Sequence, residues 1–179
     1  MRTVLQALRA LVVLTVLTGI AYPLLVTAVA HLAFTETSSG SVIRQGERIV
    51  GSKLLAQKME DPRYFWPRPS AADYATVPSG ASNLGPTSAQ LAETVTKRRE
   101  TLDSAAPPDL LTASGSGLDP HLSPAAAKYQ AARVAQARNL PVDQLLALIE
   151  RMIEPPQYGI FGEERVNVFA LNLALDAAR

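Results

Sequence analysis

The sequence predicts a mixed α+β chain, with a single N-terminal transmembrane helix followed by one compact α/β-type soluble domain of helices and a small sheet. Three observations carry the prediction. An apolar run of membrane length opens the chain, two capped and breaker-free stretches of helical spacing occupy its C-terminal half, and short alternating stretches flank them. At 179 residues there is room for one core and an appendage. Residues 1–9 read as a basic leader, residues 10–34 as the transmembrane helix and residues 35–179 as the soluble domain.

From Ala10 to Phe34 the only titratable side chains are Tyr22 and His31, and neither carries a fixed charge. A spanning helix needs about 20 mainly apolar residues, whereas the apolar part of a secretory signal runs to about 7–15. The run exceeds that range and reads as a retained anchor. The small-x-small triplet Ala28-Val29-Ala30 leaves a cleaved signal as the competing reading. Gly19 and Pro23 are compatible with a span, because neighbouring helices and hydroxyls can satisfy freed backbone groups. Arg2 and Arg9 precede the run while Arg44, Arg48 and Lys53 follow it, so the charge rule nearly ties. The basic leader favours an N-terminus inside and a domain outside the cytoplasm.

After a polar linker, Ser41 to Val50 reads as extended pieces broken at Gly46, and Ser52 as the cap of a helical turn over Lys53 to Met59. Asp61 to Pro86 holds five prolines, Pro62, Pro67, Pro69, Pro78 and Pro86, and predicts a long irregular loop. Ser88 to Leu102 regains helical spacing through Leu91, Val95 and Leu102. Ser123-Pro124 places a cap and a first-turn proline before a helix reaching Arg138, with Asn139 as C-cap. Pro141 opens a second helix to about Ile153, whose Val142, Leu145, Leu146, Leu148, Ile149 and Met152 share one face, and the two helices predict a hairpin. Arg165 to Leu171 alternates as a strand, and Leu173 to Ala178 closes as a helix.

Net charge is +1 with no Lys/Arg-rich run, so nucleic acid is not an expected partner. The chain has no cysteine, which excludes disulfides and thiolate chemistry, and two histidines are too few for a histidine-based metal cluster. Thr112 to Pro124, TASGSGLDPHLSP, gathers Ser114, Gly115, Ser116, Gly117, Asp119 and His121. A serine-hydrolase elbow needs glycine two residues before the nucleophile, and Thr112 holds that place for Ser114. Asp119 and His121 would form a catalytic pair only with help from distant residues, so no catalytic residue is assigned. Ser79 to Pro86, SGASNLGP, superficially resembles a phosphate cradle, with Gly80 and Gly85 among the candidate residues Ser79, Gly80, Ser82, Asn83 and Gly85, but lacks the lysine and hydroxyl ending of a P-loop. The bland reading of both stretches is a rigid turn or a partner surface. Tyr64-Phe65-Trp66 beside Arg68 reads either as a contact anchor or as core. Glu163 with Arg165, and Asp109 with Asp119, read as ordinary charged groups without acid-base signature.

Taken in order, GSKLLAQ at Gly51 to Gln57, YFWPRPSA at Tyr64 to Ala71, SGASNLGPT at Ser79 to Thr87, the Thr112 to Pro124 loop and RVNVFALNLALD at Arg165 to Asp176 resemble the C subunits of bacterial Kdp potassium-transporting ATPases. Ala56 and Ala81 stand where the family pattern suggests glycine, and Pro155-Pro156 replaces a segment that is often Gly-Arg. The resemblance implies a non-catalytic accessory subunit of a high-affinity, ATP-driven potassium uptake pump in the bacterial inner membrane. Its implied partners are a channel-like potassium-translocating subunit, a P-type ATP-hydrolysing subunit, a small single-span subunit and membrane lipid. The family is described as a catalytic chaperone that raises the ATP affinity of the hydrolysing subunit. No covalent cofactor is implied, ATP is reached through the hydrolysing subunit, and the candidate nucleotide or partner loops are those two Ser/Gly-rich stretches. The alternative is a purely structural and regulatory subunit outside the cytoplasm; a weaker one is a secreted hydrolase using His121.

Overall fold

The computed structural model describes residues 1–177, and the chain divides into two compact units between Val50 and Gly51. The first unit is dominated by one helix, Arg2–Ala33, long and apolar enough to cross a membrane, with none of its apolar window buried inside the protein. It comprises α1 (Arg2–Leu14), a π-helical segment (Thr15–Ala21) and α2 (Tyr22–Ala33). Pro23 has no N–H to return to Gly19 and its ring crowds the preceding turn, which accounts for the widened segment just upstream. Thr18 and Thr27 donate their hydroxyls to the carbonyls of Leu14 and Pro23, both at 2.7 Å, so these polar side chains are satisfied within the helix. The short α3 (Thr35–Ser38) follows, and then β1 (Val42–Gln45) pairs with β2 (Arg48–Ser52) around Gly46, as expected from the sequence.

The second unit is built on a helical hairpin. In α6 (Pro124–Arg138) the Ser123 hydroxyl accepts from Ala126 N–H at 3.1 Å, and Asn139 closes the helix in the left-handed conformation at φ +56°. Its buried face is nearly all alanine, with Ala126, Ala127, Ala131, Val134 and Ala135, which lets α7 (Val142–Arg151) pack closely through Leu145 and Ile149. Leu146, Leu148 and Met152 are partly buried against the same core, whereas Val142, expected on that face, is exposed. Helix α4 (Ala89–Leu102) is capped by Ser88, and the short α5 (Pro108–Leu111) buries Leu110 and Leu111.

A three-stranded antiparallel sheet in the order β3-β5-β4 lies beside the hairpin: β3 (His121–Leu122), β5 (Arg165–Asn167) and β4 (Ile153–Glu154). Leu122 and Ile153 both register with Val166, the fully buried centre of the sheet. The expected strand over Arg165 to Leu171 stops at Asn167, and α8 (Val168–Ala177) begins at once. Asn167 makes that change by accepting from Ala170 N–H at 3.0 Å, a cap bond. The expected closing helix to Ala178 therefore starts five residues early, and Ala178 lies outside the described residues.

The helical turn expected over Lys53 to Met59 does not form. Ser52 accepts from Leu54 N–H at 3.1 Å, but Ala56 N–H then bonds Leu118 O at 2.9 Å, so the chain leaves in an extended path. Residues 61–86 are irregular as expected, and two buried amides hold them. Asn172 of α8 and Gln130 of α6 each bond both backbone polar groups of a loop residue, Phe65 and Trp66 respectively, at 2.8–3.0 Å. Phe65 is thereby set fully into the core, among Leu110, Leu122, Val168 and Leu171.

Candidate functional site

The two Ser/Gly-rich stretches, remote in sequence, meet in space. Ser79 donates its hydroxyl to Ser116 O at 2.5 Å. Gly117 sits at φ +71°, and a Cβ there would lie 2.8 Å from Gly80 O, so only glycine allows the backbones this close. Gly117 N–H in turn bonds Ser114 O at 3.3 Å, and Ser114 N–H bonds Pro69 O at 3.0 Å. Ser114 is 2 % exposed and serves the interior of the loop. Together Leu54, Leu55, Ser79, Gly115, Ser116, Leu118, Asp119 and Pro120 line an open depression of about 390 Å³.

The floor is fixed by Asp119. Its Oδ1 accepts from the backbone N–H of His121 at 3.0 Å and lies 3.4 Å from His121 Nδ1, while Oδ2 lies 3.4 Å from Arg68 Nη1. Burial pushes the Asp119 carboxyl up, but the side-chain and backbone hydrogen bonds from His121, with the positive charges of His121 and Arg68, outweigh it and hold the carboxyl below its ordinary value. Pro120 O accepts from Val168 N–H at 2.9 Å, and His121 starts β3, so the loop is anchored on both the sheet and α8. The Ser116 hydroxyl accepts from Leu118 N–H at 3.1 Å. Among the described residues no serine hydroxyl hydrogen-bonds His121.

The structure brings together Ser79, Gly80, Ser114, Gly115, Ser116, Gly117 and Asp119, with His121 behind Asp119. Ser82, Asn83 and Gly85 do not line the depression; they are exposed, Asn83 in a left-handed turn at φ +54°, and Gly85 O accepts from Ser88 N–H at the start of α4. Asp109 accepts from Ser123 N–H at 2.8 Å, and Arg165 pairs with Glu154 across β4 and β5 at 3.0 Å. Of the aromatic trio, Phe65 is core, while Arg133 and Arg138 stack on Trp66 and Tyr64 at 3.8 and 4.7 Å from the ring centroids. Among the described residues no group of three or more His, Cys, Asp or Glu could hold a metal ion. Sequence reasoning missed Gln130 and Asn172, which set the loops behind the site. Their only signal is an amide on the apolar face of a helix.

Among the described residues, one helix long and apolar enough to cross a membrane and a compact α+β unit with interlocked polar loops define the class, a membrane-associated protein. Residues 4–177 match the family model described as "KdpC: K+-transporting ATPase, c chain", and the chain belongs to the KdpC family. It is 52 % identical to a potassium-transporting ATPase KdpC subunit of Sorangium cellulosum, over 97 % of this chain and 96 % of that one. Similar proteins of the same name occur in Rhodospirillum rubrum, at 50 % identity over 98 % and 96 % of the two chains, and in Variovorax paradoxus, at 51 % over 92 % and 91 %.

Proposed function

We propose that this chain is a non-catalytic accessory subunit of an ATP-driven potassium uptake pump of the bacterial inner membrane. Its domain docks outside the cytoplasm on the channel-like subunit, its helix packs among the neighbouring spans, and the small single-span subunit and lipid complete its surroundings. The P-type subunit hydrolyses ATP, and this chain raises the ATP affinity of that subunit by holding the assembly in its working form rather than by contacting nucleotide.

What supports this reading best is the interlock of Ser79-Gly80 with Ser116-Gly117. The Ser79 hydroxyl is engaged with Ser116 O, the Ser116 hydroxyl accepts from Leu118 N–H, Gly117 packs against Gly80, and Asp119 sets a carboxylate in the same depression. An interlocked surface that carries a carboxylate suits a partner protein better than a polyphosphate. Because the chain has no cysteine, a single Ser104→Cys provides a clean test. A membrane-impermeant maleimide should label it in intact spheroplasts containing the assembled pump. Labelling only after permeabilisation would place the domain inside and overturn the docking reading.

A further inference from the structure

A cavity of about 720 Å³ lies away from the interlocked loops, between α4, α6 and the proline-rich segment. That volume falls within the range of about 300–1,000 Å³ usual for small-ligand sites. Its walls are mainly apolar and aromatic, with Trp66, Leu102, Leu110, Tyr74 and Tyr129, and two guanidinium groups line it, Arg98 of α4 and Arg133 of α6.

Neither arginine has a carboxylate partner within 4.0 Å among the described residues. Arg98 donates only through Nη1, to Leu111 O at 2.7 Å. Arg133 donates through Nη1 to Pro62 O at 2.8 Å and through Nη2 to Gln130 Oε1 at 2.7 Å, and its guanidinium stacks on Trp66. Among the described residues Arg98 Nε and Nη2 and Arg133 Nε have no protein acceptor, and these nitrogens are open to solvent. Burial lowers both arginines from their ordinary value, Arg133 to about 10, because no neighbouring carboxylate stabilises the charge. Of the other charged groups on the wall, Lys97 pairs with Glu93 at 2.6 Å, and the single carboxylate, Asp103, accepts from Ala105 N–H at 2.8 Å.

Half-buried arginines without counter-ions beside apolar walls are suited to an anion with an apolar body. We propose that this cavity binds a small organic anion, one carboxylate or phosphate monoester head on a flat or branched apolar body, with the head between Arg98 and Arg133 and the body against the Trp66 wall. Asp103 restricts the head to a single acidic group and disfavours polyphosphates. The head could belong to a soluble metabolite or to a phosphatidic-acid-type lipid, and one experiment separates them.

Trp66 is the only tryptophan of the chain, so its fluorescence reports on the cavity directly. The full chain in neutral-lipid nanodiscs is titrated with phenyl phosphate, benzoate, inorganic phosphate and dihexanoyl phosphatidic acid, by calorimetry and by Trp66 emission. At least one organic probe should bind saturably, and inorganic phosphate about tenfold or more weaker. Losing one charge-assisted donor group in Arg98→Gln should weaken the bound probe by about tenfold. Lys128→Gln, whose partner is Glu150, should leave binding unchanged. Preference for the short-chain lipid over phenyl phosphate assigns a lipid head, and the reverse assigns a soluble anion. Absence of saturable binding by every organic probe overturns the proposal, as does unchanged affinity in a folded Arg98→Gln variant. Arg98 is the residue to vary because Arg133 also holds Pro62 and Gln130.

Discussion

Asn172 hydrogen-bonds both backbone polar groups of Phe65, accepting from its N–H and donating to its C=O, each at 2.9 Å. One buried side chain thus does for the loop what a neighbouring strand does in a sheet. Replacing Asn172 by Leu leaves the Phe65 N–H and C=O buried and unsatisfied. The expected loss is about 2–4 kcal/mol of stability. Urea denaturation of the variant should show it as a lower midpoint, and Asn172→Asp, which keeps the acceptor but loses the donor, should also lose stability.

Gly117→Ala meets two obstacles, the left-handed φ of +71° and a Cβ 2.8 Å from Gly80 O. The expected cost is about 1–3 kcal/mol, with separation of the two loops. Gly115, two residues earlier, has nothing within 4 Å of its would-be Cβ, and Gly115→Ala should be near neutral. Thermal unfolding of the pair, together with co-purification of each with the ATP-hydrolysing subunit, checks both statements. Loss of co-purification in the first alone ties the interlock to assembly.

Asp119 titrates lower in the folded protein than in the unfolded chain. Between those two values the unfolded chain binds more protons, so stability rises with pH there. The contribution is complete above the unfolded value of about 4 and is lost as pH falls through the folded one. Asp119→Asn should therefore reduce stability at pH 7 while flattening its decline below about pH 4. Asp61, whose carboxyl is held at about 2 mainly by hydrogen bonds from Arg63, keeps part of that decline in the variant.

Ile20 lies within the long apolar helix and is exposed in the isolated chain. Ile20→Asp should cost about 3–4 kcal/mol of insertion free energy at the centre of a span, the Asp penalty plus the lost Ile contribution. A glycosylation-mapping insertion assay, with Ile20→Leu as the neutral control, reads this as a reduced inserted fraction.

Helix α6 was legible because its determinants are local, Ser123 and Pro124 at one end and Asn139 at the other. The long helix was legible from composition alone. The start of α8 was not, because Val166, Val168 and Phe169 alternate well enough for a strand, and what decides is the Asn167 side chain turning back onto Ala170. The two-residue strands β3 and β4 are too short for any periodicity to mark them. Ser52 looked like a helix cap, yet the N–H of Ala56 goes to Leu118, a partner no local rule can supply. The depression had the same limit: Ser79 and Ser116 were each noticed, but their meeting depends on Gly117 fitting against Gly80, and their common support depends on amides in α6 and α8.

The π-helical segment Thr15–Ala21 interrupts the angular bookkeeping of the long helix. Side chains advance about 100° per residue along α1 and α2, but by less through the wider turns between them. A helical wheel drawn straight through Arg2–Ala33 therefore assigns faces out of phase on its two halves. Leu8 and Leu25 cannot be placed on one stripe by counting heptads, and any crosslinking survey of the span needs two separate wheels, one ending at Leu14 and one beginning at Tyr22.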